Sequence, residues 1–345
     1  MRILFVEDEL EKNIPRLRRL FGKYLSKNQN DELKAFENDE YGATPEQIKA
    51  IMERKDLFRI EYRFPDALKE IVGNPEKYAL FIIDRNLSLT EYNLEEIQAI
   101  DENFSESQYN KFFEREGDYF LHKLIYQNID VATRFYFLTA YSFEDEIKGA
   151  EDLKNHVEFK RFGRGNFIEK ASSNDIDRLR NVIEKQPAFL IRNENLKYLE
   201  ILKQIISENV SDSFWYILVN SNNQDYVQTN LGAIRVLLEN TMRVIAEKLH
   251  APDDCWDKGK SIKTRSVLNW LVQYDSETKT NNYQFDTNSI IKDFGYNIYE
   301  IASDFGAHHP APGFQPTTDT VNALVYALKD ILVWFDGALE KYGEN

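Results

Sequence analysis

The sequence predicts an α/β unit built on a five-stranded, doubly wound parallel sheet, followed by an all-α helical bundle. Three observations carry this. Up to about residue 186, short and continuously apolar runs alternate with segments whose apolar residues recur every three or four positions. From residue 195 onward only the helical spacing continues. The length, 345 residues, is sufficient for two units with separate cores.

Taken in order, Ile3-Leu4-Phe5-Val6 is a run of the kind buried on both faces of a sheet. Ile14, Leu17, Leu20, Phe21, Tyr24 and Leu25 then share one face of an amphipathic helix. Phe58–Tyr62 reads as a second strand, with a helix from Pro65 through Ile71 after it. Tyr78–Ile83 is a third, stopped at Asp84 and followed later by a helix from Gly117 to Tyr126. Thr133–Leu138 is a fourth strand, ending at Thr139. Asn166-Phe167-Ile168 is the fifth, before a helix carrying Ile176, Leu179, Val182 and Ile183. Helical crossovers between consecutive strands imply a parallel sheet covered on both faces.

Two polar stretches, about 28–56 and 87–116, exceed what such a sheet needs and read as insertions. The second leaves the end of the third strand, and a lid, a partner-binding element and a plain surface excursion all fit it. Pro187 interrupts the last α/β helix, so 1–186 is expected as the first domain, 187–194 as a linker and 195–345 as the bundle. In that bundle Leu196, Leu199, Leu202 and Ile206 form one stripe, and Val227, Leu231, Ile234, Leu238, Ile245 and Leu249 a longer one ended by Pro252. Residues 261–274 and 287–304 follow the same spacing. Thr317-Thr318-Asp319 offers an N-cap to a last helix through Phe335. Trp215, Trp270 and Trp334 read as bundle core.

Composition narrows the function. With 43 basic and 58 acidic side chains the net charge is −15, which speaks against DNA or another wrapped polyanion as partner. The single cysteine, Cys255, allows no internal disulfide framework. The N-terminal apolar run breaks at Glu7, so it is neither a signal peptide nor a membrane span, and a cytoplasmic location without membrane contact is expected.

Four polar signals fall just after apolar strands: Glu7-Asp8, Asp84, Thr139 and Lys170. In a parallel sheet they converge on the carboxyl edge, where ligands bind. Crowded carboxylates repel one another, and a hard divalent cation such as Mg²⁺ compensates them. Lys170 adds a positive charge and Thr139 a hydroxyl donor. One carboxylate could then attack a phosphoryl group whose oxygens the cation and lysine neutralise.

The pieces I-L-F-V-E-D-E, F-I-I-D-R-N-L, F-L-T-A and F-I-E-K resemble the receiver domain of bacterial two-component response regulators, over residues 1 to about 186 apart from the insertions. That resemblance implies a flavodoxin-like sheet and phosphorelay signal transduction. It implies Glu7 and Asp8 as the Mg²⁺-holding pair and Asp84 as phosphoryl acceptor, with Asn86 completing the metal shell through its backbone carbonyl. Thr139 takes the place of the switch hydroxyl, Ala140 of the small residue after it, Lys170 of the phosphate-pairing lysine and Phe167 of the rotating aromatic. A histidine kinase or phosphotransfer protein is the implied phosphodonor. Ala171 stands where the family usually carries proline.

In the helical half, Asp304, His308 and His309 form a cluster that fits a metal site, an acid/base pair or a turn. With L-G-A-I-R-V-L-L-E-N-T and the terminal V-N-A-L-V-Y-A-L-K-D-I-L-V-W-F, this segment resembles C-terminal domains of the HEPN and abortive-infection class, many of them dimeric ribonucleases. Asp304 and His308 match that family's polar residue and histidine, whereas Ser303 stands where its arginine should be. The leading expectation is a response regulator whose phosphorylation at Asp84 switches a helical output that binds a partner or dimerises. The alternatives are a phosphorylation-gated HEPN-like ribonuclease or phage-defence effector acting on RNA, and a scaffold whose receiver no longer cycles.

Overall fold

The computed structural model describes residues 1–37, 42–140, 147–257, 261–275, 277–278, 280–307, 313 and 315–343. The chain divides into two compact units, Met1–Asn193 and Glu194–Asn345. The first is an α/β unit on five parallel strands: β1 (Arg2–Val6), β2 (Phe58–Glu61), β3 (Tyr78–Ile83), β4 (Phe135–Thr139) and β5 (Phe167–Glu169). They lie in the order β2-β1-β3-β4-β5. The order reverses beside β1, so the carboxyl ends of β1 and β3 flank the crevice characteristic of such sheets.

Side-chain alternation assigns each face its cover. Leu4, Val6, Phe81, Ile83, Phe135 and Phe137 join one core with helices Phe64–Gly73 and Glu116–Tyr126. On the opposite face Phe5 meets Phe21 edge-on at 5.7 Å, and helix Ile14–Phe21 packs beside helix Ser173–Ile183. Every residue of β3 is buried, as its unbroken apolar run requires.

Several boundaries differ from the sequence expectation. Thr133 and Arg134 belong to a helical turn, Val131–Arg134, and β4 begins at Phe135. Residues 187–194 are not a linker: Pro187 opens helix Pro187–Ile205, suited to a first-turn position that needs no N–H donor. Phe189 within it is fully buried, 4.8 Å from Tyr24 and 5.9 Å from Phe58.

Both expected insertions contain helices. The first carries Lys27–Glu37 and Pro45–Met52, with Leu33, Ile48 and Met52 buried. The second carries Leu94–Gln98 and Glu106–Phe112, and Ile97, Phe104 and Phe112 enter the core beneath Phe64 and Tyr119. Its inner face is therefore part of the core of the sheet unit, not a surface excursion.

In the second unit, helix Val227–Lys248 packs against Glu208–Asn220, Ser289–Ala302 and Thr318–Tyr342. Leu231, Ile234, Leu238, Ile245, Leu328 and Phe335 are buried, as their spacing predicts. The unit is not purely helical: after helix Thr264–Val272, Tyr274–Asp275 pairs antiparallel with Thr280–Asn281. Trp215, Trp270 and Trp334 are half-buried rather than central. No helix is long and apolar enough to cross a membrane among the described residues.

Candidate functional site

Strand geometry places the acidic groups. Glu7 extends β1 by one ladder bond, its N–H donating to Glu61 O at 3.0 Å, and the Asp84 N–H donates to Val6 O at 2.9 Å. Glu7, Asp8 and Asp84 thereby meet at the switch point, with one oxygen from each within 4.8 Å of the others and all three residues buried.

Lys170, one residue past β5, reaches back across the sheet edge. Its Nζ lies 2.8 Å from Glu7 Oε2 and 2.5 Å from Asp84 Oδ2. The Lys170 N–H donates to Thr139 O at 2.9 Å, which ties the lysine to the end of β4. Thr139 is itself fully buried there. Asp8 turns the other way and accepts the Leu89 N–H at 3.0 Å. The Asn86 N–H faces Asp84 Oδ1 at 3.4 Å, while its side-chain oxygen accepts from Ser88 N–H and Oγ at 2.9 and 2.7 Å. The Asn86 side chain is thus engaged within its loop, and its carbonyl is the group it could offer a cation.

The electrostatics follow from crowding and burial. Burial, then the charge of Asp84, pushes the Glu7 carboxyl up to about 8 despite Lys170. Burial, reinforced by Asp84 and opposed by the Leu89 N–H, raises Asp8 to about 6. Burial pulls the Lys170 ammonium down, but Glu7 and Asp84 outweigh it and hold it above its ordinary value. The three carboxyl groups set hard oxygen donors within 4.8 Å of one another, and a divalent cation held by Glu7, Asp8 and Asp84 would offset the repulsion that raises Glu7 and Asp8.

The sequence readings of Glu7, Asp8, Asp84, Thr139 and Lys170 thus fall at one edge. Phe167 lies deeper, in β5, with its ring 5.1 Å from that of Phe137 and 5.8 Å from that of Phe162. The Lys170–Ala171 peptide is trans.

Other participants were not anticipated. Arg16, on the first helix, donates from Nη2 to Lys170 O at 3.0 Å. It borders a cleft of about 340 Å³ together with Lys12, Arg19, Lys170 and Ser173. It stands eight residues after Asp8 with no sequence signal that sets it apart. Gly117, by sequence an ordinary helix start, has a specific role in packing. A Cβ there would lie 2.5 Å from Asp84 O and 2.8 Å from Arg85 Cα, so only glycine lets this helix close on the Asp84 loop.

Of the C-terminal candidates only Asp304 falls among the described residues. Asp304 is exposed in a π-helical turn, Ser303–Ala307, and His308 and His309 lie outside the described residues. Arg235 is held by Glu239 at 2.9 Å and stacks at 5.9 Å on Tyr299. Gly306 approaches the long helix so closely that a Cβ would sit 2.5 Å from Gly232 N. The close approach therefore demands glycine at position 306, whereas a Cβ on Gly232, the G in L-G-A-I-R-V, would meet only Gly306 O at 3.5 Å. No protein family, no curated protein and no solved structure matches the chain.

Proposed function

We propose that the α/β unit is a receiver of the response-regulator kind, in which phosphorylation of Asp84 switches a helical output that binds a partner or dimerises. The observation that carries this reading is the double contact of Lys170 Nζ with Glu7 and Asp84 at the carboxyl edge of the sheet. The strand order 2-1-3-4-5, that of flavodoxin-like sheets, supports it.

Mg²⁺ at Glu7, Asp8 and Asp84, with the Asn86 carbonyl, would supply charge neutralisation for the incoming phosphoryl oxygens. An Asp84 oxygen forms the new P–O bond as the donor's P–N bond, in a phosphohistidine, or P–O bond, in an acyl phosphate, breaks. Lys170 exchanges part of its contact with Asp84 for a phosphoryl oxygen. Thr139 donates its hydroxyl to another, which draws the end of β4 toward Asp84. The cleft beside Arg16 and Lys170 gives an anionic donor a cationic approach. A histidine kinase or phosphotransfer protein is the proposed donor in the cell.

The nuclease reading would need another arginine in place of the one that Ser303 replaces, and Arg235, on the long helix, is paired with Glu239 and stacks on Tyr299. The test of the receiver reading is incubation with acetyl phosphate and Mg²⁺, read by intact mass. Wild-type protein takes up one phosphoryl group and Asp84→Asn takes up none. Undiminished labelling of Asp84→Asn rejects the assignment.

A further inference from the structure

Directly after the proposed acceptor stands Arg85, the largest fully buried side chain among the described residues. Its guanidinium grips Asp118, equally buried, through Nε to Oδ1 at 2.9 Å and Nη2 to Oδ2 at 3.0 Å. The same guanidinium lies 5.2 Å from the ring centre of Phe137 and 5.7 Å from that of Phe167. Asp118 Oδ2 also accepts the Lys148 N–H at 2.9 Å, and His122 Nε2 meets Lys148 O at 2.9 Å. One ion pair therefore touches four elements: the Asp84 loop, helix Glu116–Tyr126, the inner face of β4 and β5, and the segment leading into helix Ala150–Leu153.

Stability alone does not account for such a pair. Two ions are desolvated to form it, and well-packed apolar replacements of buried pairs are often neutral or stabilising. What the pair does supply is rigid, directional connection. The planar fork fixes Arg85 against Asp118 in one orientation, and the backbone of Arg85 is pinned by the Gly117 N–H at 3.1 Å. Arg85 thus joins the backbone of the Asp84 loop to the ring of Phe167 and, through Asp118, to the Lys148 segment.

We propose that the Arg85–Asp118 pair is a positioning latch, coupling the Asp84 loop to Phe167 and to residues 147–153 so that they change state together. The proposal rests on the receiver reading above and assigns it a transmission route. Arg85 and Asp118 act through other residues and take no part in the transfer itself.

The experiment compares the full-length wild type with the double variant Arg85→Met/Asp118→Leu by amide hydrogen exchange, with and without acetyl phosphate and Mg²⁺. Without phosphodonor, the double variant keeps a cooperative thermal transition, while residues 147–153 exchange about tenfold faster because the Lys148 N–H has lost a charged acceptor. With phosphodonor, both proteins take up the phosphoryl group. Exchange at 147–153 and 167–170 then shifts in wild type and stays unchanged in the double variant. Arg85→Lys keeps the charge and loses the fork and the stacking, and is expected to show the same loss of response if the double variant fails to fold.

Unaltered exchange at 147–153 in the phosphodonor-free double variant overturns the latch, as does a full phosphorylation response in either variant. A wild type that takes up no phosphoryl group overturns the receiver reading instead, and the phosphodonor-free arm still reports whether the pair holds the Lys148 segment.

Discussion

Glu7, Asp8 and Asp84 form a cluster whose crowding opposes stability. Each carboxylate is buried beside two others, and burial together with mutual repulsion raises Glu7 to about 8 and Asp8 to about 6. Asp8→Asn removes one like charge and leaves a side-chain oxygen to accept the Leu89 N–H. In metal-free protein near neutral pH the variant is therefore expected to be more stable than wild type by about 1 kcal/mol. In wild type, Mg²⁺ at a hundredfold excess over its dissociation constant should add about 2.7 kcal/mol, and Asp8→Asn should lose most of that gain. Thermal unfolding with EDTA and with Mg²⁺ checks both, and a metal-free destabilisation by Asp8→Asn would contradict the repulsion argument. The acidic positions were legible because each closes an apolar run. Arg85 was not, because a charged residue next to a strand is ordinarily a solvated one and only the fold shows what it is buried against; Arg16 is one of several basic residues on the first helix, with nothing local to single it out.

Strands and helices position these groups through backbone contacts. Helix Glu116–Tyr126 begins against the Asp84 loop, with the Gly117 N–H donating to Arg85 O and Glu116 accepting the Leu87 N–H at 2.9 Å. Gly117→Ala would force a methyl group into backbone atoms that have no rotamer to yield. The expected cost is about 1–3 kcal/mol of stability, with a fall in phosphoryl uptake out of proportion to it, since the displaced atoms are those of Asp84. Chemical denaturation and acetyl phosphate labelling, run on the same preparation, separate the two effects. A Gly117→Ala protein with wild-type stability and labelling would show that the helix is free to retreat. The insertion helices were missed although their start signals are present: Thr44-Pro45-Glu46-Gln47 and Ser105-Glu106-Ser107-Gln108 both form capping boxes. Their polar composition hid the few apolar residues that enter the core, Ile48 and Met52 in one, Ile97 and Phe112 in the other.

The two units part at residue 193, inside a helix rather than in a linker. Phe189 belongs to the aromatic core with Tyr24 and Phe58, and Arg192 Nε donates to Asp56 O at 2.7 Å. A fragment of residues 1–193 is accordingly expected to fold cooperatively. A fragment of 1–186 loses Phe189 and should be less stable by at least about 3 kcal/mol, and equal denaturation midpoints would place the boundary back near residue 186. The alternation of apolar runs and helical spacing, set along the chain, was enough to specify a five-stranded parallel sheet, its helices and the identity of the residues at strand ends, because period and burial are local properties of sequence. The convergence of Lys170 with Glu7 and Asp84 on one edge follows from their strand-end positions, but its double contact at 2.8 and 2.5 Å, the burial of Arg85 on Asp118 and the glycine contacts at Gly117 and Gly306 were decided by tertiary structure. Each depends on residues far apart in the chain whose distance is fixed when the sheet and its covering helices close, and no spacing within the sequence encodes that closure.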